Sequence, residues 1–485
     1  MSALLLLAAL ACSDKATDTA PPTDDTGTVD TTPTDDTAPT DDTDSTDDTG
    51  ATEDTATEPF ASETPLTSPA EAEDLDPADD VVHVQLTAAP HTHTVNVSDE
   101  TLVFEGYAYN SQTPGPTIRA QVGDTVVVEL DNQLDTGTTI HWHGARVPWD
   151  MDGVTWMGAP IDAGETFTYT FTAHSPGTFW YHPHFNTDDQ VSGGLYGVLV
   201  VEDPDEPAFD AELIAVVDDW SPPGADSGDE HLEPEGPWTV NGLVNPAFEA
   251  VGGQRVRLRL LNAASAGYTH LQWPTPRIIG GDQGPLAAPH EPETLLLATG
   301  DRAEVELLIG ESGFTMEDLP YTHRGGEALG DPEPLFRVEV DSPAAAPAPL
   351  TRDWSEAPPS ADPTYTDITW VFSGAPETGE WMMNGEVFPD VTIPEVMLGD
   401  EVIIEVRNLS PTEHPFHLHG VHFELLSRNG VAPDYRTIED TINVPIQEFV
   451  RLKIIADNPG DWMAHCHILP HAEGGMMTVL RVGEP

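Results

Sequence analysis

The chain has 485 residues, with 85 acidic side chains against 17 basic ones and a formal net charge of −68. Charge of that sign and size excludes a general affinity for nucleic-acid phosphates. The only cysteines, Cys12 and Cys466, exclude a disulfide framework, a Cys-rich zinc module and a four-Cys iron–sulfur site.

At roughly 150 residues per domain the length suits about three domains. No apolar run approaches the roughly 20 residues of a membrane-spanning helix. Residues 1–12, MSALLLLAALAC, form a short apolar stretch with small residues near its end. The stretch resembles a lipoprotein-type export signal, with Cys12 as the lipidated mature N-terminus. It departs from that pattern in having no Lys or Arg ahead of the run, and in placing Leu10 one position late. The expectation is an exported protein of the periplasm, cell envelope or cell surface, anchored to a membrane through Cys12.

Residues 13–80 hold 22 acidic side chains and one basic one, Lys15, for a charge of −21. Such a segment buries too little apolar area to offset the entropy of ordering, and it reads as a disordered, extended Asp/Thr/Pro-rich linker. The remaining body, 81–485, carries −68 + 21 = −47. An acidic, Lys-poor surface suits high ionic strength and attracts cationic substrates.

Three segments in the body share one strand pattern: VGDTVVVEL (Val122–Leu130), GGQRVRLRL (Gly252–Leu260) and LGDEVIIEV (Leu398–Val406). Each is a turn glycine followed by apolar residues at period two, the signature of a half-buried strand. In the middle copy Arg255, Arg257 and Arg259 face one way and Val256, Leu258 and Leu260 the other. The outer copies continue as a repeat, since Gly123/Gly399, Asp124/Asp400, His141/His417, His143/His419 and Gly144/Gly420 all stand 276 residues apart. GTFWYHPH (177–184) and GDWMAHCH (460–467) repeat at an offset of 283. Helical periodicity is nearly absent, so the expected fold is all-β: three antiparallel Greek-key β-sandwiches spanning 81–204, 205–345 and 346–485.

Four histidine clusters carry the chemistry. They are His141-Trp142-His143-Gly144, His182-Pro183-His184, His414-Pro415-Phe416-His417-Leu418-His419-Gly420, and His465-Cys466-His467 followed by His471 and Met476. On a strand, residues i and i+2 share a face, so each His-x-His pair aims two imidazoles at one place. Imidazole suits copper, zinc, iron and nickel. Cys466 must face away from His465 and His467, so one strand can serve two metal sites. A thiolate with His414, His471 and the thioether of Met476 fits the two-His, one-Cys, weak-axial-Met pattern of blue copper. The pair His91/His93 and the single histidines His83, His174, His231, His270, His290, His323 and His422 read as ordinary surface or core residues.

These motifs, HWHG, HxH, HPxHLHG and HCHxxxHxxxxM, resemble those of the multicopper oxidases. The resemblance implies cupredoxin-like sandwiches and four copper ions. It assigns His414, Cys466, His471 and Met476 to a type 1 copper and His141 and His417 to a type 2 copper. His143, His182, His184, His419, His465 and His467 fall to a type 3 pair, and the middle domain has no ligands. It further implies that a donor docking at the exposed edge of His471 or His414 gives single electrons to the type 1 copper. They would pass through Cys466 to a cluster reducing O₂ to water. Asp152, in Met151-Asp152-Gly153, matches a family acid expected to relay protons. Glu473 stands one place beyond another such acid, whose position Ala472 holds. Glu413, beside His414, reads as a surface acid.

The substrate expectation is laccase-like oxidation of phenols or aromatic amines. Oxidation of a metal ion, Cu(I), Fe(II) or Mn(II), is the alternative within the same machinery. A non-catalytic copper-binding envelope protein would show scattered ligands, and a copper nitrite reductase would not need the type 3 histidines. No protein partner is evident in the sequence.

Overall fold

The computed structural model describes residues 60–97, 100–156, 158–220, 236–326, 328–351, 358–375 and 379–483. The leader with Cys12, the linker up to residue 59 and His231 lie outside them. Six sheets form among the described residues, two from each third of the body, and the chain changes sandwich between Glu202 and Ala211 and between Asp341 and Ile368. The three repeat strands seed the three cores. Val126, Val128 and Leu130 are buried in the first, Val256, Leu258 and Leu260 in the second, and Val402, Ile404 and Val406 in the third. Each such side chain contributes about 1.5–3 kcal/mol through burial. In the outer copies the repeated Asp closes its own turn, Asp124 Oδ2 accepting from the Gln121 N–H (2.7 Å) and Asp400 Oδ2 from the Met397 N–H (2.9 Å).

Two expectations are corrected. The sheets are mixed, not antiparallel, and each of the six carries one parallel pair, as between Val81–Val97 and Thr125–Asn132 or Ile368–Ala375 and Glu401–Asn408. The chain crosses to the opposite sheet between such partners, so strands of the second layer supply the crossover that parallel neighbours need. The expected linker also ends early. From Phe60 onward the chain runs along two sandwich edges, with Leu66 buried in the second core and its N–H on Ala247 O (2.7 Å). Thr117 of the first sandwich then accepts from the Ala72 N–H and donates to Ala70 O (both 2.8 Å). Open sheet edges with unpaired backbone groups recruit this segment, whatever its composition.

The arginine face of the middle repeat strand is buried as well. Arg259 reaches Glu212 (2.7 Å), Thr178 Oγ1 (2.8 Å) and Glu304, while Arg257 reaches Glu304 (2.6 Å) and Glu206 (2.7 Å). Thr178 lies in strand Gly177–His182, which leads into the second histidine cluster, so this ion network fixes that strand against the middle sandwich. Burial alone would raise the Glu304 carboxyl, but Arg259 and Arg257 hold it down at about 2.

Replacing Glu304 with Gln removes the carboxylate that two buried guanidinium groups share, leaving Arg257 with Glu206 and Arg259 with Glu212, and a loss of about 1–3 kcal/mol is expected at neutral pH. The carboxylate stabilises the fold above its ordinary value of 4.5, and that contribution fades as pH falls towards about 2. Thermal melts of both proteins across that range should therefore converge in acid; a gap independent of pH would overturn the assignment.

Candidate metal centres

Strands His141–His143 and Gly177–His182 pair antiparallel with His141 opposite His182, and strands His414–Leu418 and Gly460–Cys466 pair with His417 opposite His465. Adjacent His-x-His pairs therefore present their rings side by side, and the two sets meet across the first and third sandwiches. The rings of His143 and His417 stack at 3.8 Å and 10°, and those of His141 and His419 at 3.8 Å and 25°. His184 lies 5.1 Å from His419 and 5.3 Å from His465, and His467 lies 4.8 Å from His143 and 5.6 Å from His182. All eight histidines of the four pairs surround one space.

One nitrogen of each of several rings is held by the protein. His141 Nδ1–H donates to Asp152 O (3.0 Å), His182 Nδ1–H to Pro183 O (2.8 Å), His417 Nδ1–H to Asp440 O (2.9 Å) and His143 Nε2–H to Asp440 Oδ1 (3.0 Å). The opposite nitrogens, His141 Nε2, His182 Nε2, His417 Nε2, His143 Nδ1 and His467 Nε2, are buried without a hydrogen-bond partner. His419 Nε2 and His465 Nε2 face each other at 3.0 Å, and three histidine triads of the cluster bring ligand atoms within 4.8 Å of one another. Buried polar atoms rarely stay unpaired. Rings anchored at one nitrogen and bare at the other are what metal coordination requires, so the donor set fits copper.

Burial pushes His143, His182, His184, His419, His465, His467 and His471 well below the usual imidazole range, and His414 down to about 3. They are neutral at pH 7, the ligating form.

Across strand Gly460–Cys466 lies a second centre. Cys466 is fully buried in the third core, with its Sγ 3.3 Å from His414 Nδ1 and 3.7 Å from His471 Nδ1; the two nitrogens are 3.2 Å apart. Met476 is fully buried in the same core, and its peptide bonds to both Cys466 N–H (3.1 Å) and His471 O (3.0 Å). Burial raises the Cys466 thiol, so a cation is needed to draw off its proton.

The expected docking edge is not there. His414 is wholly buried and His471 exposes 3 %, with the Trp381 indole 3.8 Å from the His471 ring and tilted by 32° to it. Glu413 is no surface acid either. It is buried, and its Oε2 accepts from Tyr321 O–H (2.6 Å) and Asn443 Nδ2 (2.6 Å). Asp152 is buried among the cluster histidines, with Oδ2 accepting from His419 Nδ1 (2.8 Å) and Oδ1 3.2 Å from His141 Nδ1. Gly153 makes this possible, because a Cβ there would strike Ile140 O at 1.9 Å. Glu473 accepts the Asp188 N–H (3.1 Å) and, with His182, His184 and His465, lines a cavity of about 150 Å³.

The sequence reading missed what the middle sandwich and Asp440 supply. Arg302, completely buried, donates to both oxygens of Asp440 (2.8 and 2.5 Å) and through Nε to Thr178 O (3.1 Å), joining all three sandwiches behind the cluster. Burial would raise the Asp440 carboxyl; Arg302 overrides this and holds it well below the usual range. The preceding loop lies against the rings themselves, with Thr299 Oγ1 3.4 Å from His467 Nδ1. Neither an isolated Arg nor a Gly-Asp dipeptide carries a sequence signal for such a role.

Two family profiles described as "Multicopper oxidase" match residues 91–206 and 358–485. The multicopper oxidase MmcO of Mycobacterium tuberculosis is 32 % identical over 433 residues, covering 77 % of this chain and 82 % of that protein. A multicopper oxidase from Campylobacter jejuni, described as a metallo-oxidase, superposes with a TM-score of 0.74 at 26 % identity, over 87 % of this chain and 95 % of its own. A laccase-like oxidase from Ochrobactrum, described as active towards lignin model compounds, superposes at 0.73 and 26 % identity, over 86 % and 100 %.

Gly300 supplies a test of the middle sandwich. Its φ is +90°, and an added Cβ would lie 3.1 Å from His467 and 3.2 Å from His143. Gly300→Ala is expected to cost about 1–2 kcal/mol in backbone strain and to displace cluster ligands. Copper per chain should fall while the visible colour of the thiolate centre remains; full copper content would refute the contact.

Proposed function

The chain belongs to the multicopper oxidase family, copper-dependent oxidoreductases that use O₂. From that premise we propose that it oxidises phenols and aromatic amines one electron at a time and reduces O₂ to water. His414, Cys466, His471 and Met476 would hold a type 1 copper, and His141 with His417 a type 2 copper. His143, His182, His184, His419, His465 and His467 would hold the type 3 pair. Bound copper supplies the redox chemistry, storing single electrons until four are available to O₂.

The observation that carries this reading is the opposite facing of neighbours on one strand: the Cys466 thiol meets His414 and His471, while His465 and His467 meet the histidines of the first sandwich. The peptide around Cys466 thus joins the two centres covalently. Dioxygen is small and apolar, and the 150 Å³ cavity lined by Val154, Trp156, Phe388, Met463 and Met477 beside three cluster histidines suits its entry.

Protons must follow the electrons. Asp152, hydrogen-bonded to two cluster imidazoles, is our assignment for their delivery, and Glu473 beside the cavity is the second. Burial, the larger effect, raises Glu473, so its carboxyl holds a proton to higher pH than usual. The reading also includes export as a lipoprotein through Cys12. Oxidation of metal ions is weighed second, because the C. jejuni neighbour is described as a metallo-oxidase. Against it, Glu413 Oε2 already holds two hydrogen bonds.

Cys466→Ser should abolish the visible thiolate-to-copper absorbance and turnover while cluster copper still loads; retained colour would refute the assignment. Asp152→Asn should slow reoxidation of the reduced enzyme by O₂ about 10–100-fold and leave reduction of the thiolate centre by donor unchanged. An unaltered oxygen half-reaction in stopped flow would remove Asp152 as the proton source. Oxygen uptake by the copper-loaded protein with phenols, Cu(I), Fe(II) and Mn(II) tests the reading as a whole.

A further inference from the structure

His414 opens its strand, so the loop ahead of it, residues 409–413, decides how its ring is held. Ring nitrogen Nδ1 faces Cys466 Sγ, while Nε2–H donates to Ser410 Oγ (2.5 Å). Ser410 Oγ in turn contacts Thr412 O (2.9 Å) and Asn408 Oδ1 (2.8 Å). The Thr412 side chain then leaves the third sandwich. Its Oγ1–H donates to His323 O (3.2 Å), and the same carbonyl accepts the Glu413 N–H (3.0 Å). An unbroken chain of bonded groups thus runs from the ring that faces the thiol to a loop of the middle sandwich.

The middle sandwich holds its end of the chain with three rings. His323 is buried in the loop that follows strand Phe314–Asp318, edge-on to the Tyr268 ring at 4.0 Å and to the Tyr321 ring at 5.7 Å. Tyr268 and Tyr321 stack at 5.8 Å, and their hydroxyls reach back to the third sandwich, Tyr268 to Asn443 Oδ1 (3.0 Å) and Tyr321 to Glu413 Oε2 (2.6 Å). Tyr321 and Asn443 also line a cavity of about 480 Å³ between the middle and third sandwiches, which stays outside this chain of bonds.

His323 Nδ1 is buried without a partner among the described residues. Such an atom costs stability, so what the side chain supplies here is a packed ring, which fixes the carbonyl shared by Thr412 and Glu413. Burial pushes the His323 imidazole down to about 4, so it is neutral at pH 7 and does not repel a cation at the thiolate centre.

We infer that His323 is a positioning residue for the thiolate centre. Its carbonyl, through Thr412 and Ser410, sets how the His414 ring meets Cys466, and with it the reduction potential of copper held there. Hydrogen bonds beyond the ligands orient imidazoles and tune metal potentials in this way. The inference rests on the copper assignment above and adds the middle sandwich to what governs that centre.

The test poises the copper-loaded full chain under argon with the hexacyanoferrate couple and follows the visible thiolate-to-copper absorbance. Thr412→Val keeps the side chain's shape and removes the hydroxyl, Thr412→Ser keeps the hydroxyl, and His323→Ala removes the ring. His323→Ala is expected to move the half-reduction point by at least about tenfold in mediator ratio, about 59 mV for one electron. Thr412→Val should move it the same way by at least about threefold, and Thr412→Ser should match the parent protein. The copper hyperfine splitting of the thiolate centre in electron paramagnetic resonance should change with the midpoint, while copper per chain stays at the parent level. A merely structural role would lower the melting temperature and leave the midpoint alone. An unmoved midpoint in Thr412→Val or in folded His323→Ala overturns the inference, as does a Thr412→Ser midpoint shifted as far as that of Thr412→Val. Should His323→Ala fail to fold, the Thr412 pair decides the matter. A colourless copper-loaded parent protein sinks the copper assignment instead.

Discussion

The two-residue period of a β-strand is the constraint on which the rest of the molecule depends. Along Gly460–Cys466 it sends His465 towards His419 and His184 while Cys466 enters the third core against His414 and His471. A helix would scatter these neighbours around its axis, and a loop would not fix them. The same period brings His141 with His143 and His417 with His419 into one space, so four short strands from two sandwiches build the cluster without an insertion or extra element. The pairings His141–His182 and His417–His465 set the register, and a slip of one residue in either would turn the ligands to the wrong face.

Orientation is a separate demand from position. A bare imidazole can rotate, and a metal site needs one ring nitrogen held. Asp152 does this from a loop of the first sandwich and Asp440 from the third. Asp440 can remain ionised at zero exposure only because Arg302 of the middle sandwich meets both its oxygens. The middle sandwich therefore governs the site through a guanidinium and through Gly300, whose missing side chain lets the loop touch His467 and His143. Its ion network with Glu304 and Thr178 makes the same contribution one strand further out.

What could be read in the sequence was whatever obeys a short period. The three repeat strands, the four His-x-His pairs and the contrary facing of Cys466 follow from alternation, and the structure brings all of those residues together. Contacts between distant segments left no such trace. Arg302 and Asp440 are 138 residues apart and Asp152 and His419 are 267 apart, and neither pair has a spacing that local chemistry would flag. Glu413 looked like a surface acid because its burial depends on Tyr321 and Asn443, which come from elsewhere in the chain. The segment after Phe60 looked unstructured because its composition is, yet an open sheet edge asks for backbone groups rather than apolar side chains. Parallel strand pairs were missed for a related reason: neighbours in a sheet are set by topology, and each strand taken alone reads the same either way.

The two cavities differ in polarity. The one beside His182, His184 and His465 is narrow and lined by Trp156, Phe388, Met463 and Met477, surfaces that suit a small apolar molecule and offer a cation little. The one between the middle and third sandwiches is wider and carries Asp301, Glu439 and Glu448 among apolar walls. They adjoin different strands of one sheet: the first is lined by His465, the second by residues of Thr441–Val444, which pairs with His414–Leu418. Two strands join the thiolate centre to the cluster covalently: Gly460–Cys466, through Cys466 beside His465, and His414–Leu418, through His414 and His417. The wide cavity also borders the cluster, because Thr441 and Arg302 line it while Thr441 Oγ1 lies 3.1 Å from both His143 Nε2 and His417 Nδ1 and Arg302 holds Asp440.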